Sequence, residues 1–209
     1  MQIDKEIADL NNILLKMSNQ VINNINIAVK SFTNDKENFI DDNLVNSSER
    51  LLQEICLTIL VKERAYASDL KLISGILKLS SDLERIGDMA IDLSVYSKKL
   101  QNIGYPLCNE ALDLLNKVLL MVTDSINSYI NKDLLLSKQV IDKDEEIDKA
   151  FLTLIETQIP KKAIKRDIHY AIYTTIVVKY IERIADHAVN ICEWVIYINN
   201  GFYKDTQLF

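Results

Sequence analysis

Apolar residues at Ile3, Ile7, Leu10, Leu14, Met17, Val21, Ile25, Ala28 and Phe32 recur in steps of three and four. That spacing lays one stripe along one face of an α-helix and predicts a long first amphipathic helix. The pattern stops at the polar run TNDKEN and resumes over residues 40–62, the second predicted helix. A third is expected from Ser68, whose hydroxyl is a candidate N-cap, to about residue 100. The segment NIGYP, with Gly104 and Pro106, is the strongest break in the chain. Beyond it the same periodicity predicts helices over residues 107–131, 133–158 and 161–199, with Pro160 placed as a helix opener and Gly201 as a terminator.

Three helices thus lie on each side of one break, and the two halves resemble each other. LERIGDMAIDL at 83–93 aligns without a gap with IERIADHAVNI at 181–191, and the same offset brings Asp69 in ASDLKLI onto Asp167 in KRDIHYA. A repeated helical hairpin plus helix is the simplest reading. The expected fold class is all-α: two tandem antiparallel three-helix bundles related by an internal repeat, over residues 1–104 and 105–209.

Composition agrees with long helices and few joints, because only 4 glycines and 2 prolines occur in 209 residues. With 48% hydrophobic and 26% charged residues the chain buries a substantial core and is not of a disordered class. A net charge of -6 argues against nucleic acid as a partner, which needs clustered Lys and Arg, and suits metal cations better. The longest nearly uncharged stretch, residues 170–181, still contains Lys179 and falls short of the roughly 18 residues of a membrane span. The acidic, periodic start MQIDKEIADL is unlike a secretory signal, so a cytoplasmic location is expected. Cys56, Cys108 and Cys192 are widely spaced and odd in number, as reduced packing cysteines are.

The candidate chemistry lies in rows of acids. In the third helix Leu79, Leu83, Ile86, Ala90 and Leu93 form the apolar stripe, which puts Glu84, Asp88 and Asp92 in one row on the opposite, outer side. The sixth helix repeats this with Glu182, Asp186 and Asn190. Asp144 and Asp148 have the same one-turn spacing and no basic residue one turn away, whereas Glu145 can pair with Lys149. The first half offers Asp42 with Asn46. Like charges one turn apart destabilise a helix by a few tenths of a kcal/mol per pair, so such rows call for a cation, whether a side chain or a metal. All-oxygen donor sets select hard or borderline cations such as magnesium, manganese, calcium or iron, with zinc still open. The plainer alternative is a solvated face, with Arg85 neutralising Asp88 and Arg183 neutralising Asp186.

Other residues carry weaker signals. His187 follows Asp186 and is placed to reach the edge of a metal site; His169 lies nearer the apolar face. Neither stands three residues after an acid, so the Glu-x-x-His pattern of di-iron bundles is missing. Gly87 and Ala185, at equivalent repeat positions, are small enough to let another helix approach. Lys161, Lys162, Lys165 and Arg166 form a basic cluster, read either as a solvated helix start or as a seat for phosphate or an acidic partner.

The segments SSDLERIGDMAIDL at 80–93 and VVKYIERIADHAVNICEWVIYINNG at 177–201 resemble the two hallmark stretches of the PhoU family, with ASDLKLI at 67–73 and DKDEEID at 142–148 in matching order. The resemblance covers about residues 40–201. It implies a pair of three-helix bundles with multinuclear metal sites built from acid-x-x-x-acid pairs, holding iron, zinc, manganese or magnesium. One site would use Asp144, Asp148, Glu182 and Asp186; the other Asp42, Glu84 and Asp88. At the remaining position this chain has Asn46 where the family usually has an acid, which implies a weaker first-half site. Ala65 stands where the family often has proline and touches only a helix junction. The resemblance further implies a negative regulator rather than an enzyme, acting with the ATPase of a phosphate-specific ABC transporter and a phosphate-sensing histidine kinase, at the membrane only through these partners, with a homodimer allowed. The competing readings are a metal-dependent helical-bundle enzyme, a phosphohydrolase or oxidase, and a metal-free helical adaptor.

Overall fold

A computed structural model of the chain describes residues 2–33, 40–62, 67–164, 166–204 and 206–207; Ala65 and Lys165 lie outside them. The helices are α1 (Gln2–Ser31), α2 (Asn43–Lys62), α3 (Ala67–Asn102), α4 (Asn109–Asn131), α5 (Leu134–Asp142), α6 (Asp144–Thr153), α7 (Ile159–Ala163) and α8 (Ile168–Asn200), with a π-helical turn, Leu154–Gln158, between α6 and α7. After α8, strands β1 (Phe202–Tyr203) and β2 (Thr206–Gln207) form a two-residue antiparallel hairpin that pairs Phe202 with Gln207 and Tyr203 with Thr206.

Apart from that hairpin the fold is all-α, a tandem of helical bundles. One bundle packs α1, α2 and α3; the other packs α4, the α5–α7 run and α8. The α1 stripe goes where its periodicity points, since Leu10, Leu14, Met17, Val21, Ile25 and Ala28 are all buried. Each such aliphatic side chain contributes about 1.5–3 kcal/mol when fully buried. The end of α1 is closed by α3, whose Ser97 Oγ and Gln101 Nε2 donate to the Ser31 carbonyl at 2.6 and 2.8 Å and satisfy an acceptor the helix leaves open. Cys56, Cys108 and Cys192 are free and buried, and burial pushes the Cys56 and Cys192 thiols up to about 12. Among the described residues no helix is long and apolar enough to cross a membrane.

Several expected boundaries shift, most of all around Pro160. The last helix begins at Ile168 rather than at residue 161, and its N-cap is Asp167, whose carboxylate accepts from the His169 N–H at 2.8 Å. The fifth predicted helix instead continues in pieces to Ala163. Pro160 carries no N–H to hand to the preceding turn, and the chain widens into the π turn just before it, where the Ile159 N–H reaches the Leu154 carbonyl. Pro160 therefore opens only the short α7. Ser68 lies inside the first turn of α3 rather than before it. Gly201 does end α8, in the left-handed conformation at φ 79° that favours glycine.

The two bundles share their most extensive contact along α3 and α8, which run antiparallel. At one end Gly75 faces Ile198; in the middle Asp82 Oδ1 meets His187 Nδ1 at 2.8 Å; at the other end the Tyr96 ring lies 5.9 Å from Tyr173 and 6.1 Å from Tyr180. A Cβ at Gly75 would stand 2.4 Å from Ile198 Cγ1, so glycine sets how closely the helices cross. Ile198 is β-branched and has little freedom to turn aside within a helix. Gly75→Ala is expected to destabilise the protein by about 1 kcal/mol, overpacking outweighing alanine's helix propensity. In an Ile198→Ala background the same change should stabilise it by up to about 1 kcal/mol. Urea unfolding of the four proteins of this cycle measures both signs.

Candidate metal centres

The first-half acids meet at the start of α2. Asp42 directly precedes that helix, and its carbonyl accepts from the Asn46 N–H at 3.0 Å, so Asp42 is the N-cap with its carboxylate at the positive end of the helix. The buried Asn24 of α1 holds the chain one residue earlier: its Nδ2 donates to the Asp41 carbonyl at 3.3 Å while its Oδ1 accepts from Gln20 at 2.8 Å. Glu84 and Asp88 come up from successive turns of α3. Gly87 lies between them, and a Cβ there would sit 3.2 Å from Val45 Cγ1 and 3.5 Å from Asp42 Oδ1. A glycine at this position thus brings α2 against α3, as its size leads one to expect; Ala185, its counterpart in α8, is buried.

The second-half acids meet at the start of α6. Asp144 is the first residue of that helix, Asp148 follows one turn on, and Glu182 and Asp186 face them from α8, against which α6 packs. Asp144 is pushed up to about 6, first by burial and then by the charges of Asp148, Asp186 and Glu182. Asp186 is raised as well, by desolvation of its carboxyl, then by Glu182 and Asp148, against Lys179 and His187. The same physics holds in the first half. Burial raises Asp42 most, the Asn46 hydrogen bond opposes it, and Asp88 and Asp41 add to it. Burial raises Glu84 most, followed by Asp88, with Arg85 opposing and Glu49 and Asp42 adding. The eight residues picked from the sequence therefore form two groups of four, each on two helices.

The acid rows are not fully open in the way the helical wheel alone implies, although Asp88 keeps 42% of its side chain exposed. The side chain of Glu84 is 18% exposed and that of Glu182 15%, because α2 and α6 lie over the rows. Cations reach each group unevenly. Arg85 stands 3.5 Å from Glu84 and 3.7 Å from Asp88, as the solvated-face alternative expects. Arg183 makes no ion pair with Asp186 among the described residues; Lys179 instead binds Glu182 at 2.6 Å, with its Nζ also 5.2 Å from the centre of the Phe151 ring. Asn46 donates its amide N–H to Asp42 Oδ2, relieving part of the charge in the first group.

Two atoms stand out by what they lack. Asp42 Oδ1 and Asp144 Oδ1 are buried without a hydrogen-bond partner among the described residues, one in each half and each at the start of a helix. A buried carboxylate oxygen without a partner costs about 1–3 kcal/mol or more, so it calls for a proton or a cation. Among the described residues no three His, Cys, Asp or Glu side chains already converge as a ready coordination shell. The donor set itself, carboxylate oxygens with one orphan in each group, fits hard or borderline cations.

The remaining candidates go elsewhere. His187 turns to Asp82 across the bundle seam, and His169 Nδ1 pairs with Asp167 at 2.7 Å. Asp92 leaves its row for Tyr180, whose hydroxyl is raised first by burial and then by its hydrogen bond to Asp92. In the basic cluster Lys162 pairs with Glu110, and the Arg166 guanidinium lies 4.3 Å from the centre of the Tyr170 ring. Sequence reasoning passed over Asn24, Glu49 and Lys179. Glu49 and Lys179 each lie three residues from a chosen position, a spacing that could have been read; the reach of Asn24 to residue 41 has no local signal.

Comparison with known proteins identifies the family and the fold. The family model described as the PhoU domain matches residues 14–95 and again 111–195. A phosphate-specific transport system accessory protein PhoU homolog of Pseudomonas putida is 30% identical over 208 residues, 96% of this chain and 81% of that protein. The homolog of Clostridium acetobutylicum is 24% identical over 97% of this chain and 96% of its own length. The crystal structure of PhoU from Pseudomonas aeruginosa superposes with a TM-score of 0.85 at 28% identity, covering 95% of this chain and 99% of that one. The phosphate transport system regulatory protein PhoU from Streptococcus pneumoniae shares the fold, with a TM-score of 0.83 at 21% identity over 98% and 100% of the two chains. With both halves matched by the family model and the fold shared along its whole length, this chain belongs to the PhoU family.

Proposed function

We propose that this protein is an accessory regulator of phosphate transport that restrains uptake and phosphate-starvation signalling, and that its two carboxylate groups hold metal ions through which it docks. The relatives' names, accessory proteins of a phosphate-specific transport system, support the first part. The observation that carries the second is the buried, unpartnered Asp144 Oδ1, in a carboxylate group with a single lysine among it. Asp144, Asp148, Glu182 and Asp186 would hold one set of ions, and Asp42, Glu84 and Asp88 with Asn46 the other. Iron, zinc, manganese or magnesium in such a place supplies positive charge and coordination positions for an outside oxygen ligand. The chain's own residues do the rest. Helix starts aim Asp42 and Asp144 inward, Gly87 keeps α2 close to α3, and Arg85 and Lys179 balance part of the charge. The second-half group, richer in carboxylates and without an amide in the set, is the stronger of the two. The proposed partners are the transporter ATPase and a phosphate-sensing histidine kinase, engaged by the two units at residues 1–104 and 105–209.

Protons and cations compete for these acids, which fixes the sign of two effects. Asp144 holds its proton to about pH 6 in the folded metal-free protein and to about 3.8 when unfolded. Its contribution to stability is therefore complete below the lower value and lost as pH rises through the upper one. The shift corresponds to on the order of 1 kcal/mol once solvent screening of a partly exposed group is allowed for. Relative to Asp144→Asn, metal-free wild type should lose about that much stability between pH 4 and pH 7. In saturating manganese the difference should reverse, because the ion binds only the ionised carboxylate. Denaturant unfolding across pH, with and without manganese, reads both; a pH-independent difference would remove Asp144 from the centre.

The docking role is tested by recovering the transporter ATPase on immobilised protein with and without a chelator. Recovery should fall about tenfold with chelator and equally in a Glu182→Gln, Asp186→Asn variant. Equal recovery in every arm would mean that the ions do not bridge the partners.

A further inference from the structure

Away from both carboxylate groups, the end of α2, the start of α3 and the last turns of α8 enclose a groove of about 760 Å³. We propose that it binds a soluble single-tailed anionic amphiphile, a molecule with an apolar or aromatic body and one carboxylate, sulfonate or phosphate head. The inference goes beyond the transport reading and does not rest on it.

The walls are apolar. Leu60 from α2, Leu70 from α3 and the rings of Trp194 and Tyr197 from α8 form them. Leu60 and Leu70 remain 37% and 44% exposed, so the groove is open to an occupant. Trp194 is held rigidly, stacked on Tyr203 with ring centres 4.0 Å apart and edge-on to Tyr197 at 5.7 Å. A fixed aromatic wall receives an apolar body at little cost in conformational entropy.

The charged groups among the groove's described lining are both cationic, beside the neutral Ser74 and Asn200. Lys71, Ser74 and Lys78 follow one another at helical spacing along the α3 side. Among the described residues neither lysine has a carboxylate partner and no acid lines the groove, although the chain carries a net charge of -6. The Lys71 ammonium lies near the C-terminal end of α8, since a Cβ on Gly201 would stand 3.8 Å from its Nζ, and the helix dipole favours a cation there. The volume is that of a small-molecule pocket, about 300–1,000 Å³, with apolar walls and a few polar groups that set orientation. A concave site of this kind suits one molecule rather than a membrane surface.

Trp194 is the only tryptophan and reports on its own groove. Tryptophan emission is recorded while decanoate or decyl phosphate, below micelle formation, is titrated into the full chain, with decyltrimethylammonium and a neutral decyl glycoside in parallel arms. The anions should give a saturable change that added salt weakens, and the cation and the glycoside should give at least about tenfold weaker responses. Lys71→Gln and Lys78→Gln should each weaken decanoate binding about two- to fivefold, in line with the energy of an exposed ion pair. Leu70→Glu, at a position already half exposed, should abolish binding while leaving far-ultraviolet circular dichroism and metal content unchanged. Equal binding of all four amphiphiles, no saturable response to the anions, or, in a further arm with anionic phospholipid vesicles, a response to the vesicles alone would each overturn the proposal. Metal content measured on the same samples keeps this outcome separate from that of the carboxylate centres.

Discussion

The structure turns on the electrostatics of acids held between packed helices. Glu84 and Glu182 sit on the long helices of the two bundles, and each is covered by a shorter helix that brings a further aspartate at its start. Packing removes water from these groups while keeping them together, so both desolvation and mutual repulsion favour the neutral form. The upward shifts of Asp42, Glu84, Asp144 and Asp186 express one constraint: carboxylates gathered out of water between packed helices favour their neutral form unless positive charge joins them.

The architecture makes that constraint occur twice with unequal force. The seam of α3 and α8 sets the two rows in one rigid frame, through a glycine crossing at Gly75, the Asp82–His187 pair and the Tyr96 cluster. In the first half Arg85 and the Asn46 amide already relieve part of the charge. In the second half Lys179 binds Glu182 and only partly offsets Asp186, and among the described residues Asp144 is left with an unpartnered oxygen. One amide-for-acid difference and the place of one cation thus separate two sites built on the same plan.

Most of this was legible in the sequence because its signals are local and periodic. Apolar steps of three and four revealed α1, and one offset tied ERIGD to ERIAD. The acid pairs then followed from one-turn spacing, and the resemblance to PhoU proteins joined pairs from different helices into two groups. What stayed hidden depends on tertiary contact. A helical wheel places Glu84 and Glu182 opposite the apolar stripe but does not say that another helix will lie over them. Pro160 reads as a helix opener, yet a π turn absorbs it within one helical run and the last helix waits for its Asp167 cap. His187 neighbours an acid in sequence, and its ring nevertheless points to Asp82 in the other half.

The central claim concerns cations over the second-half carboxylates, and anomalous scattering addresses it directly. Crystals of the protein grown with manganese, and separately with zinc, would be measured at the respective absorption edges. Metal-bridged carboxylates require anomalous peaks among Asp144, Asp148, Glu182 and Asp186 that vanish in Asp144→Asn, with weaker peaks beside Asp42, Glu84 and Asp88. A well-ordered map with no anomalous signal at Asp144 in either metal would contradict that claim.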